Sequence, residues 1–289
     1  MLADLHCHTK LSDGSLGLED IISLAAKKGV DTISVTDCDC TAGAARAKVI
    51  GQRKNVNVIP GVQITATDPQ TGNNMHILAY LCDAPDRLAG LCQRNSLIRK
   101  RAAMVMISRV CDRYPVTPEL VQRCATGSTN IYVPHIMQSL VECGLDNRLF
   151  GDLYEKLFTP DSPESVLVNA RYTDVYRVLE EIDNAGGVSV LANPIADGCA
   201  DRIADLAENG LCGVQAWHPD MTANDTDALL SVAKKNKLLA VGGTDFRGMY
   251  SDSIVSVGDV GTPKTQLNEL LNFKTKKKRM LKKQAEGTV

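Results

Sequence analysis

The first fourteen residues, Met1 to Gly14, read M-L-A-D-L-H-C-H-T-K-L-S-D-G. Residues 2–5 suit the end of a buried strand, and His6 and His8 stand two apart at its tip. Side chains two apart on a strand share a face, so both imidazoles project to the same side. Asp13 and Gly14 follow in a short loop able to fold a carboxylate back over the pair. Two histidines and an aspartate converging at a strand end are a donor set that suits a divalent cation. An H-x-H at a strand tip is also common by chance, so the rest of the chain has to supply the weight.

Outward from this stretch, strand and helix signals alternate. Residues 18–28 carry apolar side chains at helical spacing and stop at Gly29, and residues 31–37 (D-T-I-S-V-T-D) are a β-branched run closed by Asp37. Further strands are read at 55–67 with Gln63 near its end, at 74–82 with His76, and at 187–193, 213–218 and 238–245. Helices are read at 42–52, 174–185, 200–209 and 225–236. Between 87 and 165 helical periodicity takes over and strand signals nearly vanish.

This pattern of seven strand candidates alternating with helices predicts an α/β protein, a barrel-like parallel fold carrying a helical insertion. The expected organisation is a first barrel part at 1–86, the insertion at 87–165, a second barrel part at 166–272 and a basic tail at 273–289. Nearly every strand ends on a polar group: His6 and His8, Asp37, Gln63, His76, Asn193, His218 or Asp245. A parallel barrel gathers its site at the carboxyl ends of its strands, so these residues are expected to meet in one pocket. His218, before Pro219, reads as an ordinary strand-end histidine rather than a ligand.

Composition excludes several classes. A chain of 289 residues with 44% hydrophobic and 23% charged residues is ordinary globular protein. Its net charge of −2 argues neither for a nucleic-acid scaffold nor for a membrane-surface protein. No apolar run reaches the length that spans a bilayer, and the ten cysteines lack disulfide-framework spacing. The expectation is a cytoplasmic protein with reduced thiols and no evident obligate protein partner. The run 274–283 (K-T-K-K-K-R-M-L-K-K) reads as a solvated terminus.

The ordered set D-L-H-C-H-T-K-L-S-D-G, T-D-C-D-C-T-A-G, P-G-V-Q-I-T-A, H-I-L-A-Y, V-P-H-I, A-N-P and G-G-T-D-F-R-G resembles the PHP (polymerase and histidinol phosphatase) family. The resemblance runs from Leu2 to about Leu271 and is to the branch of metal-dependent phosphoesterases with a helical insertion that act on nucleotides or RNA ends. It implies a distorted seven-stranded (β/α) barrel, TIM-like, holding up to three divalent ions, of zinc, manganese or iron, and hydrolysis by metal-activated water. It also implies that His6, His8 and Asp245 hold the first ion, His76 belongs to the second and Asp13 to the third. His135 and Arg101 match residues that face the substrate phosphate. A small phosphorylated substrate, such as a nucleotide or RNA end, follows from the same resemblance.

Four family ligands are replaced: a histidine by Cys38, a bridging glutamate by Gln63, a histidine by Asn193 and another by Arg247. Gln63 offers a neutral carbonyl oxygen in place of a bridging carboxylate. Arg247 opposes any ion beside it, since a unit charge about 5 Å from a dication is repelled by roughly 6–7 kcal/mol at an effective dielectric of 20. A centre of one or two ions is therefore expected, most strongly at His6, His8 and Asp245. Cys38 and Gln63 remain as ligands of lower quality. In this reading Arg247, Arg101 and His135 hold phosphate, and His76 or Asp37 moves protons. Two alternatives stand beside it: a weak or inactive protein that binds a phosphorylated ligand, and a zinc or redox site gathering Cys7, Cys38 and Cys40.

Overall fold

The computed structural model describes residues 3–286, with side chains through residue 275. Met1 and Leu2 of the opening stretch, and residues 287–289 of the tail, lie outside the described residues. Strand β1 (Ala3–Cys7) is buried along its whole length. Helix α1 (Leu18–Lys27) follows it, burying Leu18, Ile21, Ile22 and Ala25 on one face, as their helical spacing requires. Strand β2 (Thr32–Val35) pairs in parallel with β1, and after α2 (Ala44–Lys54) the short β3 (Asn57–Val58) pairs in parallel with β2.

The second sheet contains β4 (Gly61–Thr67), β5 (Asn74–Tyr80), β6 (Thr173–Asp174), β7 (Val188–Ala192), β8 (Gly213–Trp217) and β9 (Leu239–Gly242), in the spatial order β6-β4-β5-β7-β8-β9. Between β5 and β6 run α3 (Ala89–Cys111), α4 (Pro118–Cys124), α5 (Val133–Glu142) and α6 (Asp152–Phe158). These helices bury a core of their own around Met106, Val110, Ile136, Leu140 and Leu157. Helices α7 (Val175–Asn184), α8 (Ile203–Glu208) and α9 (Ala223–Lys235) alternate with the later strands, and α10 (Lys264–Glu286) closes the described chain. Among the described residues no helix is long and apolar enough to cross a membrane.

Two expectations are corrected by the sheet topology. The strand read at 55–67 breaks at Pro60, which has no N–H for a ladder, and its halves join different sheets. The β5 strand runs antiparallel to both β4 and β7, because residues 68–73 allow only a hairpin between β4 and β5. Helix α10 buries Leu267 and Leu270, ahead of the basic run at 274–283, with residues of β1, β5 and β9.

The reversal of β5 matters for the site. His76 sits near the start of β5, paired with Thr65 near the end of β4 and Ala192 at the end of β7. An antiparallel strand presents its first residues where its neighbours present their last, so His76 reaches the same rim. The two sheets touch through single bridges, Cys7 to Phe246 and Cys38 to Gln63.

Candidate metal centre

The tip of β1 is fixed from below by a buried carboxylate. Asp4 accepts hydrogen bonds from Thr244 N (2.9 Å), Thr244 Oγ1 (2.6 Å) and Gly258 N (2.9 Å), which locks β1 to the segment after β9. Gly243 lies so close that a Cβ there would stand 2.5 Å from the backbone nitrogen of His6. Two residues on, Asp245 adopts φ +50°, and Asn193 after β7 adopts φ +44°. Asp and Asn tolerate this left-handed region better than other L-residues, and such strain concentrates at functional sites.

His6, His8 and Asp245 converge, all buried. His6 Nε2 lies 3.1 Å from His8 Nε2 and 3.3 Å from Asp245 Oδ1, and His8 Nε2 lies 2.9 Å from that oxygen. Protons can be assigned from the surroundings. Gln215 Nε2 donates to Gly243 O and Gln215 Oε1 accepts from Asn193 N, so that oxygen faces His6 Nδ1 at 3.1 Å. His6 therefore carries its hydrogen on Nδ1. His8 Nδ1 faces Asp13 Oδ1 at 3.2 Å and carries its hydrogen there in the neutral form. Both Nε2 lone pairs then point at a carboxylate oxygen, with Gln63 Oε1 only 2.7 Å from His6 Nε2.

Such a group of acceptors is satisfied by a divalent cation, or by a proton carried on His8 Nε2 and donated to Asp245 Oδ1. Donors about 2.0–2.2 Å from a zinc-like ion and 90–110° apart are separated by roughly 2.9–3.4 Å, which the three observed spacings match. The outward hydrogen bonds to Gln215 and Asp13 are the supports that metal-ligating histidines use. The residues fit a divalent ion. With the pocket holding only protons, burial pushes the His6 imidazole down to about 4. Burial also lowers His8, but the Asp13 carboxylate overrides it and holds the His8 pKa well above the ordinary value.

The neighbouring side of the pocket is different. Asp13 Oδ1 accepts from Cys38 Sγ at 3.3 Å, and Cys38 Sγ accepts from Gln63 Nε2 at 3.1 Å. Arg247 bridges two carboxylates, with Nε 2.9 Å from Asp13 Oδ2 and Nη1 3.0 Å from Asp245 Oδ2. Burial works against both carboxylates. The charges of His8 and Arg247 nonetheless hold Asp13 well below the ordinary value, and Arg247 with His6 does the same for Asp245. Burial pushes the Cys38 thiol up to about 11. Asn193 Nδ2 donates to Asp245 Oδ2 at 2.9 Å, presenting an amide hydrogen to the pocket. Of the three thiols considered together, only Cys38 joins a donor cluster among the described residues.

The remaining expected site residues fall out as follows. Asp37 has both oxygens engaged by the loop after β1, accepting from Thr9 N, Thr9 Oγ1 and Ser12 Oγ at 2.7–2.8 Å. These bonds shape the loop that carries Asp13, and Oδ2 accepts only the one from Thr9 Oγ1. His76 pairs through Nδ1 with Asp197 at 2.8 Å. Burial lowers the His76 pKa, but Asp197 reverses this and the net displacement is upward. His135 accepts Tyr132 N on Nδ1, so its Nε2 carries the hydrogen, and it lines a cavity of about 290 Å³ with Gly14, Ser15 and Tyr250.

Arg101 is exposed on α3 and does not enter the pocket. The α3 arginine that turns inward is Arg99, which donates to Asp39 Oδ2 and Thr65 Oγ1 at 2.7 Å and lies between the rings of Tyr132 and Tyr172. Sequence reading missed Arg99, Asp197 and Gln215. His218, set aside as a strand-end residue, has a buried Nε2 with no partner, and its Nδ1 accepts from Asp220 N.

The geometry defines a class first: an α/β protein with a His/His/Asp pocket able to hold a divalent cation at the rim of its strands. Comparison with known proteins then names the family. The PHP domain model matches residues 4–127. Over 255 residues the chain is 32% identical to the phosphoribosyl 1,2-cyclic phosphate 1,2-diphosphodiesterase of Eggerthella lenta, covering 86% of this chain and 95% of that protein. It is 27% identical over 255 residues to the 5'-3' exoribonuclease Rnm of Escherichia coli, covering 85% of each. A solved structure from Bifidobacterium adolescentis, described as a metal-dependent phosphoesterase, matches with a TM-score of 0.82 at 25% identity over 93% of this chain and 94% of that one. The chain belongs to the PHP family.

Proposed function

We propose that this protein is a metal-dependent phosphoesterase that hydrolyses a phosphate ester of a nucleotide or an RNA end. The observation that carries the reading is the meeting of His6 Nε2, His8 Nε2 and Asp245 Oδ1 within 3.3 Å, three ligand atoms spaced as they would be around one divalent ion. The relatives act on a phosphoribosyl cyclic phosphate and on RNA by their names, so phosphate on ribose is the shared chemistry.

A divalent ion held by His6, His8 and Asp245, with Gln63 Oε1 alongside, would supply a water of lowered pKa and an electrophile for phosphate oxygen. Zinc, manganese and iron all suit this donor set. Arg247 directs its remaining guanidinium edge at the phosphate, and His218 and His135 each offer an Nε2 hydrogen to the same anion. His76, held by Asp197, exchanges the proton of the leaving oxygen. Asp37 holds the loop, and Arg99, in place of Arg101, is the helix arginine on the substrate side.

The same proposal includes the closed form of the fold, with the two sheets forming one distorted barrel. The bridges Cys7–Phe246 and Cys38–Gln63 support it. The helices between β5 and β6, with their separate core, then form an insertion over the strand rim.

The test is hydrolysis of bis-p-nitrophenyl phosphate, a nucleoside 3',5'-bisphosphate and a 5'-phosphorylated oligoribonucleotide with added manganese. Turnover by the wild type and its loss in Asp245→Ala is expected. Equal rates for the two would leave a protein that only binds a phosphorylated ligand.

A further inference from the structure

We propose that Arg247 is a built-in cation seated where a second divalent ion would otherwise bind, so that the pocket works with one metal ion. This rests on the hydrolase reading for its purpose, but the ion count stands separately from turnover.

Three observations lead there. Beside the His6–His8–Asp245 triad lies a second donor cluster, His8, Asp13 and Cys38, with its ligand atoms within 4.8 Å of one another. Carboxylate, thiol and imidazole are a chemically sound set for zinc. That cluster is already taken up: Arg247 Nε lies 2.9 Å from Asp13 Oδ2, and Nη1 lies 3.0 Å from Asp245 Oδ2. His8 Nδ1 is spent on Asp13, which leaves only one carboxylate and a thiol that already donates to it for an incoming ion.

The guanidinium is anchored by its backbone. Arg247 N donates to Ser251 Oγ at 3.1 Å, and Arg247 O accepts from Ser15 N at 2.9 Å, beside Asp13 itself. Charge arithmetic agrees. Asp13 and Asp245 contribute two negative charges and Arg247 returns one, so one negative charge remains to meet a single dication. A guanidinium cannot be diluted away or chelated, so the pocket keeps its second positive charge at any metal concentration.

The experiment counts zinc by plasma mass spectrometry after loading the full chain with excess zinc chloride and desalting it. The wild type should carry one equivalent. Arg247→His puts an imidazole beside Asp13 and Cys38 and should carry two, and adding Cys38→Ser to it should return the count to one. Arg247→Lys keeps the charge and should carry one. Two equivalents in the wild type or in Arg247→Lys, none in the wild type, or one in a folded Arg247→His would overturn the proposal. A count of one without any hydrolysis would remove the hydrolase reading and leave this one; hydrolysis with a count of two would do the reverse.

Discussion

Two halves of one pocket are built from nearly the same materials and behave in opposite ways. On one side, His6, His8 and Asp245 turn their ligand atoms to a common point, within 3.3 Å of one another. On the other, Asp13 and Cys38 are equally buried and close, yet their partners are supplied by Arg247 and Gln63. Both halves hold donors that a metal would accept. What separates them is whether the protein's own groups already satisfy those donors. The lesson is that a list of potential ligands predicts little until the protons and charges around them are assigned.

The largest effect that would sharpen this contrast is on the open half. Asp245→Ala removes the one charged ligand of the triad, and zinc content should drop from one equivalent to near none. Hydrolysis should fall by on the order of 10³-fold or more, read in steady-state kinetics with metal in excess. On the closed half, Arg247→Ala should keep one equivalent of zinc while kcat/KM falls about 10²–10³-fold, the loss typical of a charge-stabilising donor. If Arg247→Ala lost its metal as fully as Asp245→Ala, the two halves would not be separable.

A smaller change tests the histidine left outside both halves. Asp197 holds the His76 pKa upward, so Asp197→Asn should move the matching limb of the pH–rate profile to lower pH and slow turnover about 10-fold. A profile that drops in height without moving would deny His76 the proton. Smallest is the pair on α3. Arg99→Ala breaks a largely buried ion pair and should destabilise by about 3 kcal/mol in denaturant titration, whereas exposed Arg101→Ala should stay within about 0.5 kcal/mol.

Much of the fold could be read from strand ends. The β1 tip, the run to Asp37 and the segment G-G-T-D before Phe246 each combine a β-branched or small-residue run with a terminal donor, and these face one pocket. The direction of β5 was not legible from its alternation, because a period of two looks the same either way. The connection D-P-Q-T-G-N at 68–73 carried that information, being far too short for a parallel crossover. The resemblance points to Arg101, but Arg99 stands two residues before it, and two residues on a helix rotate a side chain by about 200°, to the opposite face. Gln215 had a usable signal as a lone polar residue inside the buried strand G-V-Q-A-W. Asp197 had none, since it lies in an irregular loop and meets His76 only through the tertiary fold.

The most direct test is a crystal of the full chain grown with manganese, with anomalous scattering measured at the manganese edge. One peak is expected, about 2.0–2.3 Å from His6 Nε2, His8 Nε2 and Asp245 Oδ1, with the guanidinium still spanning Asp13 and Asp245. No peak at that point, or a peak lodged between Asp13 and Cys38 with Arg247 swung away, would contradict the account.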